Sequence, residues 1–206
     1  MMYDVVFGSG FIGVFIWALL FATSTGAVAI AIRCWWVLRR QRFKPEFVET
    51  LMPYFQAQDW NGAYAHAQQD GSITARIAFT ILSVAYCKTK AERQEIAVAA
   101  LDREARAIQR QLNSLSMCSN IAPMLGLLGT VTGMVDAFMG LGTAMGPDKA
   151  SMLAVSISQA LYTTAAGLLI AIPAIVMLVF FRNLLERRME ELTESVEKIL
   201  EAIPEA

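Results

Sequence analysis

Apolar positions along this chain fall into three blocks, covering residues 5–32, about 118–147, and 150–181. Each is long enough for a helix that crosses a hydrocarbon core of roughly 30 Å, which takes about 20 residues. The second and third blocks are apolar but not featureless. Residues 111–135 and 150–181 contain no Lys, Arg, Asp, Glu or His, yet they carry Gly, Ser, Thr and Gln at helical spacing. On a wheel of about 3.6 residues per turn, Pro123, Gly126, Thr130, Gly133, Ala137 and Gly140 share one face. In the third block Ser156, Gln159, Ala160, Thr163 and Gly167 do the same, with Thr164 at the edge. A helix that only anchors a protein does not need such groups. In lipid they are costly unless they meet another helix or a water-filled path.

Between the blocks the pattern changes. Residues 45–90 read as short helices with loops. Pro45 suits the start of one, the stretch from Gln58 to Ala67 reads as a turn leading into another, and Asp70-Gly71-Ser72 marks the next boundary. Residues 91–117 have no Gly or Pro and are rich in strong helix formers. One helix is therefore expected to start near Ala91 and run into the second span. After residue 182, Leu185, Leu192, Val196, Ile199 and Ile203 form an apolar stripe flanked by charged residues. This stripe requires a partner, either the 91–117 helix or a neighbouring subunit. The expected fold is an all-α membrane protein with three transmembrane helices and long cytoplasmic helical extensions of the second and third. The expected division is 1–38 for a periplasmic N-terminus and first span, 39–117 for a cytoplasmic helical region, 118–181 for the second and third spans, and 182–206 for a cytoplasmic C-terminal helix.

Charge sets the expected orientation. The net charge is only −1, but twelve of the 17 Lys and Arg residues lie between Arg33 and Arg110, and four lie after residue 181. By the positive-inside rule these two regions are cytoplasmic, so the N-terminus and the 141–151 connection lie outside. Arg39, Arg40, Arg42 and Lys44 act as the stop signal, and Trp35 and Trp36 suit an interfacial belt. Ala27-Val-Ala29 has the look of a signal-cleavage site. Asp4, the lack of a basic start and the continued apolar run to Ile32 argue for retention. Apolar residues make up 56% of the chain, above the roughly 45–50% usual in soluble domains.

Enzyme signatures are missing. The single histidine, His66, has no matching nucleophile and reads as a surface or packing residue. Gly126-Leu-Leu-Gly129-Thr130 lacks the Lys of a phosphate loop. Cys34, Cys87 and Cys118 show no metal-ligand spacing and read as reduced small hydrophobes. Nothing points to a cofactor, a metal or nucleic acid. No carboxylate lies mid-membrane. Asp136 comes late in the second span, near the outer interface, and reads as a solvated helix-end carboxylate unless it sits deeper. Small residues Gly126, Gly129, Gly133, Ala160 and Gly167 read as close helix packing. Pro123 and Pro173 read as helix bends. Thr130, Gln159, Thr163 and Thr164 are the candidate lining of an ion path.

Ile121-Ala-Pro123-Met-Leu-Gly126-Leu-Leu-Gly129-Thr130-Val-Thr-Gly133-Met-Val-Asp-Ala-Phe138 resembles the second span of the ExbB/TolQ/MotA family. The run Ile157-Ser-Gln159-Ala-Leu-Tyr-Thr163-Thr164-Ala-Ala-Gly167 through Ala174 resembles its third. Three spans with a large first cytoplasmic segment match the ExbB/TolQ branch. The four-span MotA type fits less well. The resemblance implies a proton-driven motor in the inner membrane of Gram-negative bacteria. It also implies a homo-oligomer, a pentamer, around a pair of single-span partners of the ExbD/TolR type whose transmembrane Asp carries the proton. A TonB- or TolA-like protein would receive the motion. Thr130 and Thr164 match the family's threonines near that Asp. The family commonly has Glu where this chain has Gln159, which cannot titrate but can hydrogen-bond the partner's Asp. Two other readings stay open: an oligomeric scaffold without ion conduction, and a stator that uses Na+ in place of H+.

Overall fold

A computed structural model describes residues 10–39, 43–84, 89–143 and 149–203. Among these the chain forms α1 (Gly10–Leu38), α2 (Phe47–Gln56), α3 (Trp60–Gln69), α4 (Ile73–Ser83), α5 (Lys90–Thr143) and α6 (Lys149–Ala202). No described residue lies in a strand. Three helices are long and apolar enough to cross a membrane: Ile12–Leu38, Lys90–Gly140 and Leu153–Ala202, with mean hydropathies of 2.0, 1.5 and 2.5 over their most apolar windows. The fold is thus all-helical and multi-pass, with α5 and α6 running far beyond the apolar blocks. At about 1.5 Å per residue, the 54 residues of each extend roughly 80 Å. Arg40, Arg42, Cys87 and residues 144–148 between α5 and α6 lie outside the described residues.

The chain divides into two compact units. The first comprises residues 1–32 and 113–179 and holds the apolar parts of α1, α5 and α6. On α1 the buried positions are Gly13, Ile16, Leu20, Ala27 and Ala31, one face at helical spacing. A Cβ added at Gly26 would lie 4.0 Å from the Cys118 Sγ on α5, which is ordinary contact. Large apolar side chains such as Phe15, Phe21, Met124, Leu169 and Val176 point outward and are more than half exposed in the single chain. This is the surface expected of helices solvated by lipid or by sister subunits. Pro123 and Pro173 both lie inside continuous helices. Each removes one helical N–H, which leaves the carbonyls of Ser119 and Leu169 without that donor.

The second unit comprises residues 33–112 and 180–206. Here the helix starts follow local chemistry. Asp59 caps α3 by accepting from the Gly62 N–H at 2.9 Å, and the Ser72 hydroxyl caps α4 by accepting from the Ala75 N–H at 3.2 Å. Thr89 and Glu92 form a reciprocal capping box at the start of α5, at 3.0 and 3.4 Å. That box explains why the long helix begins at Lys90, one residue before the expected Ala91. Helices α2, α3 and α4 pack on one another. His66 is stacked between Phe47 and Tyr54, with ring centroids 5.4 and 5.6 Å away, so it is a packing residue. Asp70 binds Lys44 at 2.8 Å, and Thr74 donates to the Phe43 carbonyl. These two contacts clasp the segment after α1 to the start of α4. Lys44 takes a positive φ of 36° there.

The apolar stripe of the tail is buried within the single chain. Leu185, Leu192, Val196, Ile199 and Ile203 are all less than one tenth exposed. The same holds for Ala97, Leu101, Ile108 and Leu112 on α5. A neighbouring subunit is therefore not needed to cover either face.

Candidate functional site

The site lies in the first unit, where α5 and α6 run antiparallel in close contact. Glycine sets the distance. A Cβ added at Gly126 would stand 2.9 Å from both the Thr163 carbonyl oxygen and the Thr164 Cα. One added at Gly133 would stand 2.8 Å from the Ala160 Cβ, and one at Gly167 would stand 2.6 Å from the Ala122 carbonyl oxygen. At Gly129 it would overlap the Thr163 side chain. Real side chains do not tolerate these separations from backbone atoms, so the absence of a Cβ permits the approach. The pairs Ala122–Gly167, Gly126–Thr163, Gly129–Thr163 and Gly133–Ala160 advance on α5 as they recede on α6. The register is fixed by these contacts.

Close approach brings backbone carbonyls within reach of hydroxyls. The Thr164 Oγ1 donates to the Gly126 carbonyl at 2.9 Å. The Thr163 Oγ1 lies 3.2 Å from the same carbonyl and 2.7 Å from the Ala160 carbonyl of its own helix. A hydroxyl has one hydrogen to give. The shorter distance assigns it to Ala160, which leaves Thr164 as the cross-helix donor. Thr130 is 8% exposed, and its hydroxyl donates to the Leu127 carbonyl at 2.7 Å. Thr132 likewise donates within α5, at 3.0 Å to Leu128 and 3.2 Å to Gly129. Gln159 is half-buried one turn before Thr163 on α6.

Thus the sequence-derived set is brought together on facing helices: Gly126, Gly129, Thr130 and Gly133 on α5; Gln159, Ala160, Thr163, Thr164 and Gly167 on α6. Ala160 is buried against Gly133. Pro123 lies half-buried one turn before Gly126, while Pro173 is exposed on α6. Sequence reasoning missed the central acceptor, the Gly126 carbonyl. Its only signal was two adjacent threonines opposite a glycine-rich face, since a backbone carbonyl is carried by every residue. Among the described residues, no group of three His, Cys, Asp or Glu side chains could hold a metal ion.

A groove of about 710 Å³ lies in the other unit, lined by apolar Ile77, Phe79 and Ile96 and by charged Asp70, Arg76, Arg103 and Glu104, among others. The contact between α5 and α6 instead brings threonine hydroxyls and backbone carbonyls together along one seam.

Comparison with known proteins decides the family. The MotA/TolQ/ExbB proton channel family matches residues 69–197, well over half of the chain. The chain belongs to this family. It is 40% identical over 86 residues to the biopolymer transport protein exbB1 of Vibrio cholerae, an overlap that covers 42% of this chain and 38% of that protein. A putative ExbB-like 2 biopolymer transport protein of Helicobacter pylori is 42% identical over 84 residues, covering 41% of this chain and 53% of the relative. The Tol-Pal system protein TolQ of Haemophilus influenzae is 38% identical over 76 residues, covering 37% and 33% respectively. The matches span about half or less of each relative's length. The family is a membrane channel family rather than an enzyme class.

Proposed function

We propose that this chain is the proton-conducting subunit of an ExbB/TolQ-type motor in a bacterial inner membrane. The observation that carries the reading is the convergence of Thr163 and Thr164 on the Gly126 carbonyl, inside spans that supply no mid-membrane carboxylate. Ion paths through lipid need an ionisable carrier. Here it comes from a second protein, an ExbD/TolR-like single-span partner with a transmembrane Asp. Thr130 and Thr164 face the path of that Asp, with Gln159 and Thr163 assisting, and the small residues allow the helices to approach. The chain forms a homo-oligomer, a pentamer, around a pair of partners. Its N-terminus is periplasmic and its C-terminus cytoplasmic, following the Lys and Arg distribution. Proton flow turns one component relative to the other and energises an envelope-spanning process such as TonB-dependent transport.

The testing experiment is native mass spectrometry of the gently extracted complex, followed by ion-flux measurement in vesicles. The expected result is a ring of this chain with a small single-span protein bearing a membrane Asp, and flux driven by a proton gradient. A ring with no such partner and no flux would overturn the reading in favour of a scaffold, for which the seam would be packing alone. Flux that follows a sodium gradient would change the coupling ion.

A further inference from the structure

The α5–α6 register places Asp136 in an unexpected position. Gly129 meets Thr163. Seven residues make two helical turns, so Asp136 lies on the Gly129 face of α5 two turns outward, and Ser156 lies on the Thr163 face of α6 two turns outward. Between them, one turn out from the Gly129–Thr163 contact, fall Thr132 and Gln159. The antiparallel contact of Gly133 with Ala160 holds the helices in step over this stretch. One edge of the seam is therefore polar at each turn: Thr163, then Thr132 and Gln159, then Asp136 and Ser156.

Asp136 is exposed in the single chain, beside Val135 at 51%, Phe138 at 64% and Met139 at 69% exposure. A carboxylate among such side chains is costly against lipid, so this edge is set against water or another protein chain. Residues 10–32, 111–135 and 150–181 contain no Asp, Glu, Lys, Arg or His. Tyr162 lies on the exposed side of α6, Cys118 is nearer the opposite end, and Lys149 starts α6 two turns before Ser156. Among the described residues, no other carboxylate stands on the polar edge.

Resting on the proton-channel reading, we propose that Asp136 is the outer relay of the ion path, taking up the ion at the non-cytoplasmic end and passing it along the edge toward the Thr163–Thr164 node. The proton arrives from external water, resides on the Asp136 carboxyl, and leaves to the acid of the partner chain. No bond other than O–H forms or breaks.

The test uses the native complex, with its partner, in proteoliposomes under an imposed potential, with flux read by an internal pH dye. Asp136→Asn keeps the shape and removes the ionisable carboxyl. It is expected to lower flux about tenfold or more at neutral external pH, with assembly unchanged by native mass spectrometry. Asp136→Glu, which keeps a carboxyl, is expected to retain flux. Wild-type flux in Asp136→Asn would overturn the assignment while leaving the channel reading standing. Absence of flux in the wild-type complex would overturn both. Where Asp136→Asn does not assemble, Asp136→Ser decides: lowered flux supports the relay, and full flux overturns it.

Discussion

Thr164 gives its hydroxyl hydrogen to the Gly126 carbonyl, 2.9 Å away on the facing helix. Interhelical bonds of this kind in membranes contribute about 0.6 kcal/mol on average and up to about 1.7. Thr164→Val should therefore lower the melting temperature of the detergent-extracted complex only modestly and leave its subunit composition intact. Proton-driven flux should be lost. Thermal melting, native mass spectrometry and vesicle flux on one preparation check the three parts. Full flux in both Thr164→Val and Thr130→Val would refute the assignment of these threonines to the path.

Glycines along α5 and α6 should differ sharply in their tolerance of a methyl group. At Gly167 a Cβ would press on the Ala122 backbone carbonyl at 2.6 Å, whereas at Gly140 nothing lies within 4 Å. Overpacking typically costs about 1–3 kcal/mol. Gly167→Ala should destabilise the protein by that order, and Gly140→Ala should leave it near the wild type. Paired thermal denaturation curves in the same detergent make the comparison.

Acid should weaken the clasp at Asp70. Partial burial alone would raise its carboxyl. Hydrogen bonds from Lys44, from the Ser72 backbone and side chain, and the Lys44 charge outweigh this and hold it below the usual range. The unfolded chain then binds the proton more tightly than the folded one. The stabilisation is complete above the unfolded value of about 3.9 and is lost as pH falls through the folded value. Asp70→Asn should be less stable than wild type at neutral pH, with the difference shrinking in acid. Denaturation midpoints followed downward from about pH 6 test the sign.

Burial rather than ion pairing should dominate the unit built from residues 33–112 and 180–206. Ile199 is 0% exposed, and Ile199→Ala should cost about 2–5 kcal/mol. The Arg76–Glu104 pair is short at 2.7 Å, but the arginine side chain is 56% exposed. Glu104→Ala should cost less than about 1 kcal/mol. Chemical denaturation of the two variants ranks them directly.

Much of this architecture could be read from residue order because each rule acts locally. Ser72 marks a helix boundary through a hydrogen bond that reaches only three residues. The tail stripe from Leu185 to Ile203 announces a buried face through spacing alone. The meeting of Thr163 and Thr164 with the Gly126 carbonyl could not be read this way. It depends on register between residues 37 and 38 positions apart, and the acceptor has no side chain. Arg93 shows the same limit. It sits among strong helix formers, yet it is 2% exposed, because tertiary packing rather than helix propensity sets its burial.

Thr163 stands between two carbonyls, 2.7 Å from Ala160 and 3.2 Å from Gly126. With one hydrogen and two acceptors, it can change allegiance by a small rotation while both ends stay solvated by the protein. Whichever carbonyl the Thr163 hydroxyl turns to, Thr164 keeps the Gly126 carbonyl supplied from the facing helix. The cross-helix bond thus survives a rotation of its neighbour, and the seam keeps its register through a change in one side chain.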